Sequence, residues 1–179
     1  RHMLLQLRAG IFTHEQRSTC LAVMADTFEK KVVTGDNALG TRVAIKKELK
    51  RAGAKTLAPY LQGNSKVRVL VLSNAKLQAD GLGLLVEALT TGSMVTVLDL
   101  CENDLPAESA QAIAEIIKCN AALEELMLAN NQLATKGVGD ILGQSLAQNS
   151  TLKRLDVSGN AERFDGMDGV GFAEGIAAG

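Results

Sequence analysis

The chain has 179 residues, with 46% hydrophobic, 22% charged and only 3% aromatic side chains, and a formal net charge of −1. Bulk disorder is excluded, because that needs fewer apolar residues and a larger net charge. Nucleic-acid steering is not expected from so small a charge, and base-stacking surfaces are not expected from four Phe, one Tyr and no Trp.

The charge is unevenly spread along the chain. Residues 1–66 hold 12 Lys and Arg against 5 Asp and Glu, whereas residues 67–179 hold 7 against 15. Residues 1–3, Arg-His-Met, read as an expression remnant ahead of a starting Met, so His2 is set aside from any chemistry. Residues 4–38 read as an N-terminal helical cap and linker. Thr13-His14-Glu15-Gln16 has the form of a capping box. The helix it opens runs to about Lys30 and puts Cys20, Leu21, Met24 and Phe28 on one face. The stretch from Val32 to Asn37, with Gly35 inside it, reads as a connecting loop.

From Val67 onward the sequence repeats itself. The pattern is apolar at places 1, 4, 6 and 11, with Asn at place 9. Val67, Leu70, Leu72 and Leu77 fit it, with Ala75 in place of the Asn. Val95, Leu98, Leu100, Asn103 and Leu105 fit fully, as do Leu123, Leu126, Leu128, Asn131 and Leu133. Leu152, Leu155, Val157 and Asn160 open a fourth unit. The units are 67–94, 95–122, 123–151 and 152–179, with starts 28, 28 and 29 residues apart. A degenerate unit, 39–66, precedes them, with Leu39, Arg42, Ala44 and Leu49 at places 1, 4, 6 and 11. Terminal units are atypical because they face water.

Within a unit, places 4 and 6 lie on one side of a short strand. Place 9 falls in the turn that follows, where a side-chain amide can serve backbone groups the turn leaves unpaired. Asn103, Asn131 and Asn160 are therefore expected to form a structural ladder between units. Downstream, Gly81, Leu85 and Leu89 recur as Ser109, Ile113 and Ile117, as Gly137, Ile141 and Leu146, and as Gly166 and Val170. Their spacing near four predicts one apolar helix face. One such unit cannot bury its own faces, and stacking makes the core continuous.

The segments LVLSNAKL, LDLCENDL, LMLANNQL and LDVSGN resemble the leucine-rich repeat family, and the length of 28–29 is similar to its ribonuclease-inhibitor-like subclass. The resemblance implies an α/β fold: a right-handed solenoid of strand, turn and helix, a horseshoe fragment with the N-terminal helical cap before it. The final Ile176-Ala177-Ala178-Gly179 carries no polar cap, so either further repeats follow it or a cap is missing, and weak self-association through that uncapped end is a further expectation.

Catalytic and cofactor signals are weak. His14 is the one histidine outside the remnant, and no zinc framework is present. The pair Glu124-Glu125, and Asp165 with Asp168, read as solvated surface. Gly169-Val170-Gly171 lacks the third glycine of a dinucleotide loop at the required place. No apolar run is long enough to span a bilayer. Cys20, Cys101 and Cys119 are sparse and odd in number, as expected of a reducing, cytoplasmic setting.

The expected function is therefore a non-catalytic protein-interaction module without cofactor, metal or nucleic acid. Its partner is a protein, docked on the concave strand face. The place-3 column there reads Thr41, Val69, Val97, Glu125 and Arg154, and the place-5 column Val43, Val71, Asp99, Met127 and Asp156. Val69, Val71, Val97 and Met127 form an expected apolar strip, flanked by negative charge from Asp99, Glu102, Glu124 and Glu125, and Arg154 and Asp156 complete the candidate docking residues. Similar repeats occur in tropomodulin-like and CARMIL-like actin regulators and in RanGAP-like activators of small GTPases. The resemblance to the last would make Asn131 a candidate positioning residue.

Overall fold

The computed structural model describes residues 32–37, 40–45, 48–133, 135 and 137–160. The expected helix over residues 13–30, and everything expected after Asn160, lie outside the described residues. Among the described residues six strands form one sheet in sequence order: β1 (Val32–Asn37), β2 (Gly40–Ile45), β3 (Val67–Val71), β4 (Val97–Asp99), β5 (Glu125–Met127) and β6 (Arg154–Asp156). β1 runs antiparallel to β2, and every later neighbour is parallel. Parallel neighbours need a crossover, supplied by α1 (Lys50–Leu61), α2 (Gln78–Gly83) with α3 (Val86–Thr90), α4 (Ala110–Cys119) and α5 (Val138–Leu146). This is the architecture of a leucine-rich repeat solenoid.

The strand leucines stack. Leu70, Leu98, Leu126 and Leu155 are register partners across β3 to β6. Leu70, Leu98 and Leu126 are buried with Leu72, Leu100 and Leu128 in one continuous core. Full burial of such a side chain contributes about 2 kcal/mol each. Leu77, Leu105 and Leu133 close the same core where each turn ends.

The helices follow from their apolar spacing. In α4, Ile113, Ile116 and Ile117 fall on one face and are buried, while Gln111, Glu115 and Lys118 stay exposed. Lys118 in the last turn also suits the negative end of the helix dipole. The helix expected through Gly81, Leu85 and Leu89 is instead two short ones, broken at Leu84-Leu85 after the Asp80-Gly81-Leu82-Gly83 run. Two glycines in four residues weaken a helix interior, and Leu85 N–H turns to the Leu82 carbonyl at 2.8 Å.

Three further expectations are corrected. Residues Val32–Asn37 are not a loop but strand β1, paired along its whole length with β2. In the degenerate unit, Val43 and not Arg42 is the partner of Leu70. Val43 and Ile45 are buried in the core, and Arg42 is exposed. A register shift between Thr41 and Arg42 moves the strand by one residue, so the apolar alternation of Val43 and Ile45 wins over the 28-residue count. The inward face of α5 is also displaced. Val138 and Leu142 are buried, whereas Ile141 and Leu146 are half-buried. The extra residue of the 29-residue spacing lies ahead of this helix, where Gly137 holds the left-handed conformation at φ 90°.

Candidate functional site

The turns that carry the strand face are built by the asparagines. Asn103 Oδ1 accepts from the backbone N–H of Ala75 at 3.1 Å and of Leu77 at 3.3 Å, in the preceding unit. Its Nδ2 donates to the Leu72 carbonyl at 2.8 Å and the Cys101 carbonyl at 3.1 Å. Asn131 repeats this one unit on, accepting from Asn103 N–H at 2.9 Å and Leu105 N–H at 3.1 Å. Asn160 accepts from Leu133 N–H at 3.2 Å and donates to the Leu128 and Val157 carbonyls. All three side chains are buried. Asn131 is therefore committed at both ends of its amide and cannot orient anything in a partner. The GTPase-activator reading loses its candidate residue on that ground.

A second set of asparagines, not anticipated from the sequence, supports the opposite ends of the strands. Asn120 Oδ1 accepts from Ala122 and Leu123 N–H at 2.8 and 2.9 Å, and its Nδ2 donates to the Leu89 carbonyl at 2.7 Å. Asn149 does the same with Thr151, Leu152 and the Ile117 carbonyl. Asn64 accepts from Lys66 and Val67 N–H. Each stands three residues before a strand-opening apolar residue, a spacing that the sequence does contain. Gly92 occupies the remaining place, which hides the period.

Between these supports the outward side chains form two columns. Val69, Val97, Glu125 and Arg154 are successive register partners, and so are Val71, Asp99, Met127 and Asp156. Eight of the nine candidate residues are thus brought together. Glu102 lies apart, exposed in the following turn at φ 56°. The valines and Met127 are half-buried rather than freely exposed, because adjacent strands crowd them. Arg42 and Ala44 extend the columns through Val69 and Val71, in the places assigned from sequence to Thr41 and Val43.

The charges on this face are largely tied down. Arg154 pairs with Glu125 at 3.0 Å, Lys153 with Glu124 at 3.0 Å, and Lys76 with Asp104 at 3.0 Å. Arg68 donates to the carbonyls of Ser65 and Met94 across two units. Asp99 Oδ1 accepts from Cys101 N–H at 3.0 Å, and Asp156 Oδ1 from Ser158 N–H at 2.9 Å. The hydroxyl and N–H of Ser158 hold the Asp156 carboxyl below its ordinary range. Burial, with a hydrogen bond and repulsion from Asp99, pushes the Cys101 thiol up to about 11. A thiol so raised stays protonated at neutral pH and is a poor nucleophile.

On the helix side, a groove of about 450 Å³ runs between α4 and α5, lined by Gln111, Glu115, Lys118, Cys119, Gln144 and Gln148 among others. Among the described residues, no group of three or more His, Cys, Asp or Glu could hold a metal ion. No described helix is long and apolar enough to cross a membrane.

The family described as Leucine Rich repeat matches residues 148–161, the turn and strand that open the fourth unit. No curated protein matches the chain. Among solved structures, one titled Leiomodin-1 Actin-Binding Site 2 is similar, with a TM-score of 0.63 and 17% sequence identity. The match covers 89% of this chain and 86% of that one. At that identity the likeness speaks for the fold.

Proposed function

The chain is a leucine-rich repeat solenoid, and from that fold we propose that it is a non-catalytic protein-interaction module whose partner docks on the outward face of β3–β6. One observation carries this reading. Parallel pairing sets Val69, Val71 and Val97 together as half-buried apolar neighbours on β3 and β4, with half-buried Met127 beyond Asp99 and acidic side chains beside them. An apolar centre within a polar rim is the make-up of a docking surface. The patch does not convert simply into stability, because Val at these places is also a good strand former. The subclass we favour is the ribonuclease-inhibitor-like one, on the 28–29-residue spacing, and the compartment we favour is the cytoplasm, on the sparse cysteines.

The test is a pull-down with the intact chain, with Val71→Asp/Met127→Asp, and with Gln144→Asp on the helix side as control. Partners captured by the intact chain and by Gln144→Asp should be lost with the double variant, whose circular dichroism stays that of a folded chain at the assay temperature while half-burial beside Asp99 and Asp156 lowers its melting temperature. Capture that survives the double variant would remove the strand face from the reading.

Actin is the specific partner we put first. Its support is the likeness to a solved actin-binding region of leiomodin-1 over most of both chains. Pyrene-actin elongation and filament co-sedimentation test it directly. A saturable effect of the intact chain, absent from Val71→Asp/Met127→Asp, is the expected result. No effect and no co-sedimentation would dispose of actin while leaving the docking face to the pull-down.

A further inference from the structure

The second outward column changes character at every step. Val71, Asp99, Met127 and Asp156 stand on four adjacent parallel strands as register partners. Neighbouring strands lie about 4.8 Å apart. Apolar groups therefore recur about every 10 Å, with a carboxylate midway between and another beyond.

The carboxylates are fixed in position but not neutralised. Asp99 and Asp156 each accept a backbone N–H two residues on, which holds the side chain at the strand end. Among the described residues neither forms an ion pair. Glu124 and Glu125 beside the column are matched by Lys153 and Arg154, and Asp104 in the turn after β4 by Lys76. The alternating column thus keeps two uncompensated negative charges, and exposed Glu102 adds a third at its border.

We propose that the partner's docking element is an amphipathic α-helix laid across β3–β6, with apolar and basic residues alternating turn by turn along its contacting face. This rests on the reading of that face as the docking surface. The step length selects the helix. Residues i+3, i+7 and i+10 of a helix lie about 4.5, 10.5 and 15 Å from residue i. The column asks for about 4.8, 9.6 and 14.4 Å. An extended strand presents i+2 at about 6.7 Å and slips by about 2 Å at each step. A polyproline segment presents every third residue at about 9.3 Å, so it reaches the apolar places while its intermediate side chains turn away from the acids. The occupant has Leu-like residues at i and i+7 and Lys or Arg at i+3 and i+10. The place-3 valines, Val69 and Val97, extend the apolar contact along β3 and β4.

The probe is a fluorescein-labelled helical peptide on an Ala/Gln background, with Leu at i and i+7 and Lys at i+3 and i+10. A second peptide of the same composition places the Leu and Lys residues on opposite helix faces. Both are titrated by anisotropy against the whole chain and against Asp99→Asn/Asp156→Asn. Asn keeps the acceptor that holds each turn, so the fold is retained. The in-register peptide should bind about tenfold more tightly than its control, and the Asn pair should cost about fivefold. That fivefold difference should vanish in about 0.5 M salt. No measurable binding, equal binding of the two peptides, or indifference to the Asn pair at an unchanged melting temperature overturns the proposal. If partner capture is still lost in Val71→Asp/Met127→Asp, the docking face stands and only the helical occupant falls. If capture is untouched by that variant, the face itself is wrong.

Discussion

The turns after β3 and β4 and the turn after β2 face the same demand, and they meet it differently. After β3 and β4, two backbone N–H groups need an acceptor, and the Oδ1 of Asn103 or Asn131 in the next unit takes both. After β2, the N–H groups of Leu49 and Lys50 both go to the backbone carbonyl of Ala75, at 2.7 and 2.9 Å. A carbonyl can only accept. A side-chain amide also donates, so Asn131 reaches the Leu100 and Leu128 carbonyls in two units at once. The turns of the regular part are therefore tied across units by side-chain amides, and the turn after β2 by a backbone carbonyl. The lesson is that a backbone carbonyl can take over the accepting half of a ladder amide, as Ala75 does for Leu49 and Lys50, without its donating half.

The largest test of that contrast is Asn131→Ala. It strands the N–H groups of Asn103 and Leu105 and two carbonyls in a buried turn, a loss of about 3 kcal/mol or more. Urea unfolding followed by circular dichroism measures it. A loss below 1 kcal/mol, on the order of one ordinary hydrogen bond, would mean that the ladder is dispensable in the regular part too.

Next in size is the register of the entry strand. Val43→Ala removes buried methyl groups from the core and should cost about 2 kcal/mol. Arg42→Ala, one residue earlier and exposed, should stay within about 0.5 kcal/mol. The reverse order in urea unfolding would restore the 28-residue count through β2 and undo the shift at Thr41 and Arg42.

These cases mark what the sequence shows and what it conceals. Leu98, Leu126 and Leu155 could be stacked from sequence because an intact period repeats the same chemistry at the same place. The period fails at β2 because one residue is absorbed by the register shift and Ala75 replaces the marker Asn. It fails in α5 because a spacing of 29 does not say where the extra residue sits, and the left-handed Gly137 puts it before the helix. The outward columns were legible as identities. That Asp99 and Asp156 fold back onto their own strand ends was not, since this depends on the N–H two residues later being free. Asn120 and Asn149 were legible in principle, but a period with Gly92 in one of its places does not announce itself.

A smaller effect concerns a defect inside the regular part. Ser109 stands where the preceding unit has Gly81 and, given the displaced face of α5, the following unit has buried Val138; among the described residues its buried hydroxyl has no hydrogen-bond partner. It caps no backbone N–H of α4. Ser109→Ala keeps the Cβ and removes only the unpaired oxygen, so it should stabilise the chain by about 1 kcal/mol. Thermal melting reads the gain, and a loss would reveal a partner for the hydroxyl.

The smallest effect sharpens the comparison at place 8, the residue that turns the chain after each strand. Asn74, Glu102, Asn130 and Gly159 all hold φ between 55° and 64°. Asn reaches this left-handed region more cheaply than other residues with a side chain, because its amide bonds locally. Gly159 has a further reason, since a Cβ there would run into Asn130 Oδ1. Glu102 has neither advantage. It is exposed, and its backbone N–H donates to the Ala129 carbonyl at 3.0 Å, which fixes the strained φ in place. Glu102→Asn should therefore raise stability by about 0.5 kcal/mol, with the Ala129 bond kept. The same change removes the border charge beside Asp99. If helix binding relies on the column and not on its border, Glu102→Asn will stabilise the chain while leaving the in-register peptide bound within about twofold. A larger loss would move the electrostatic centre of the face from Asp99 and Asp156 to the turn itself.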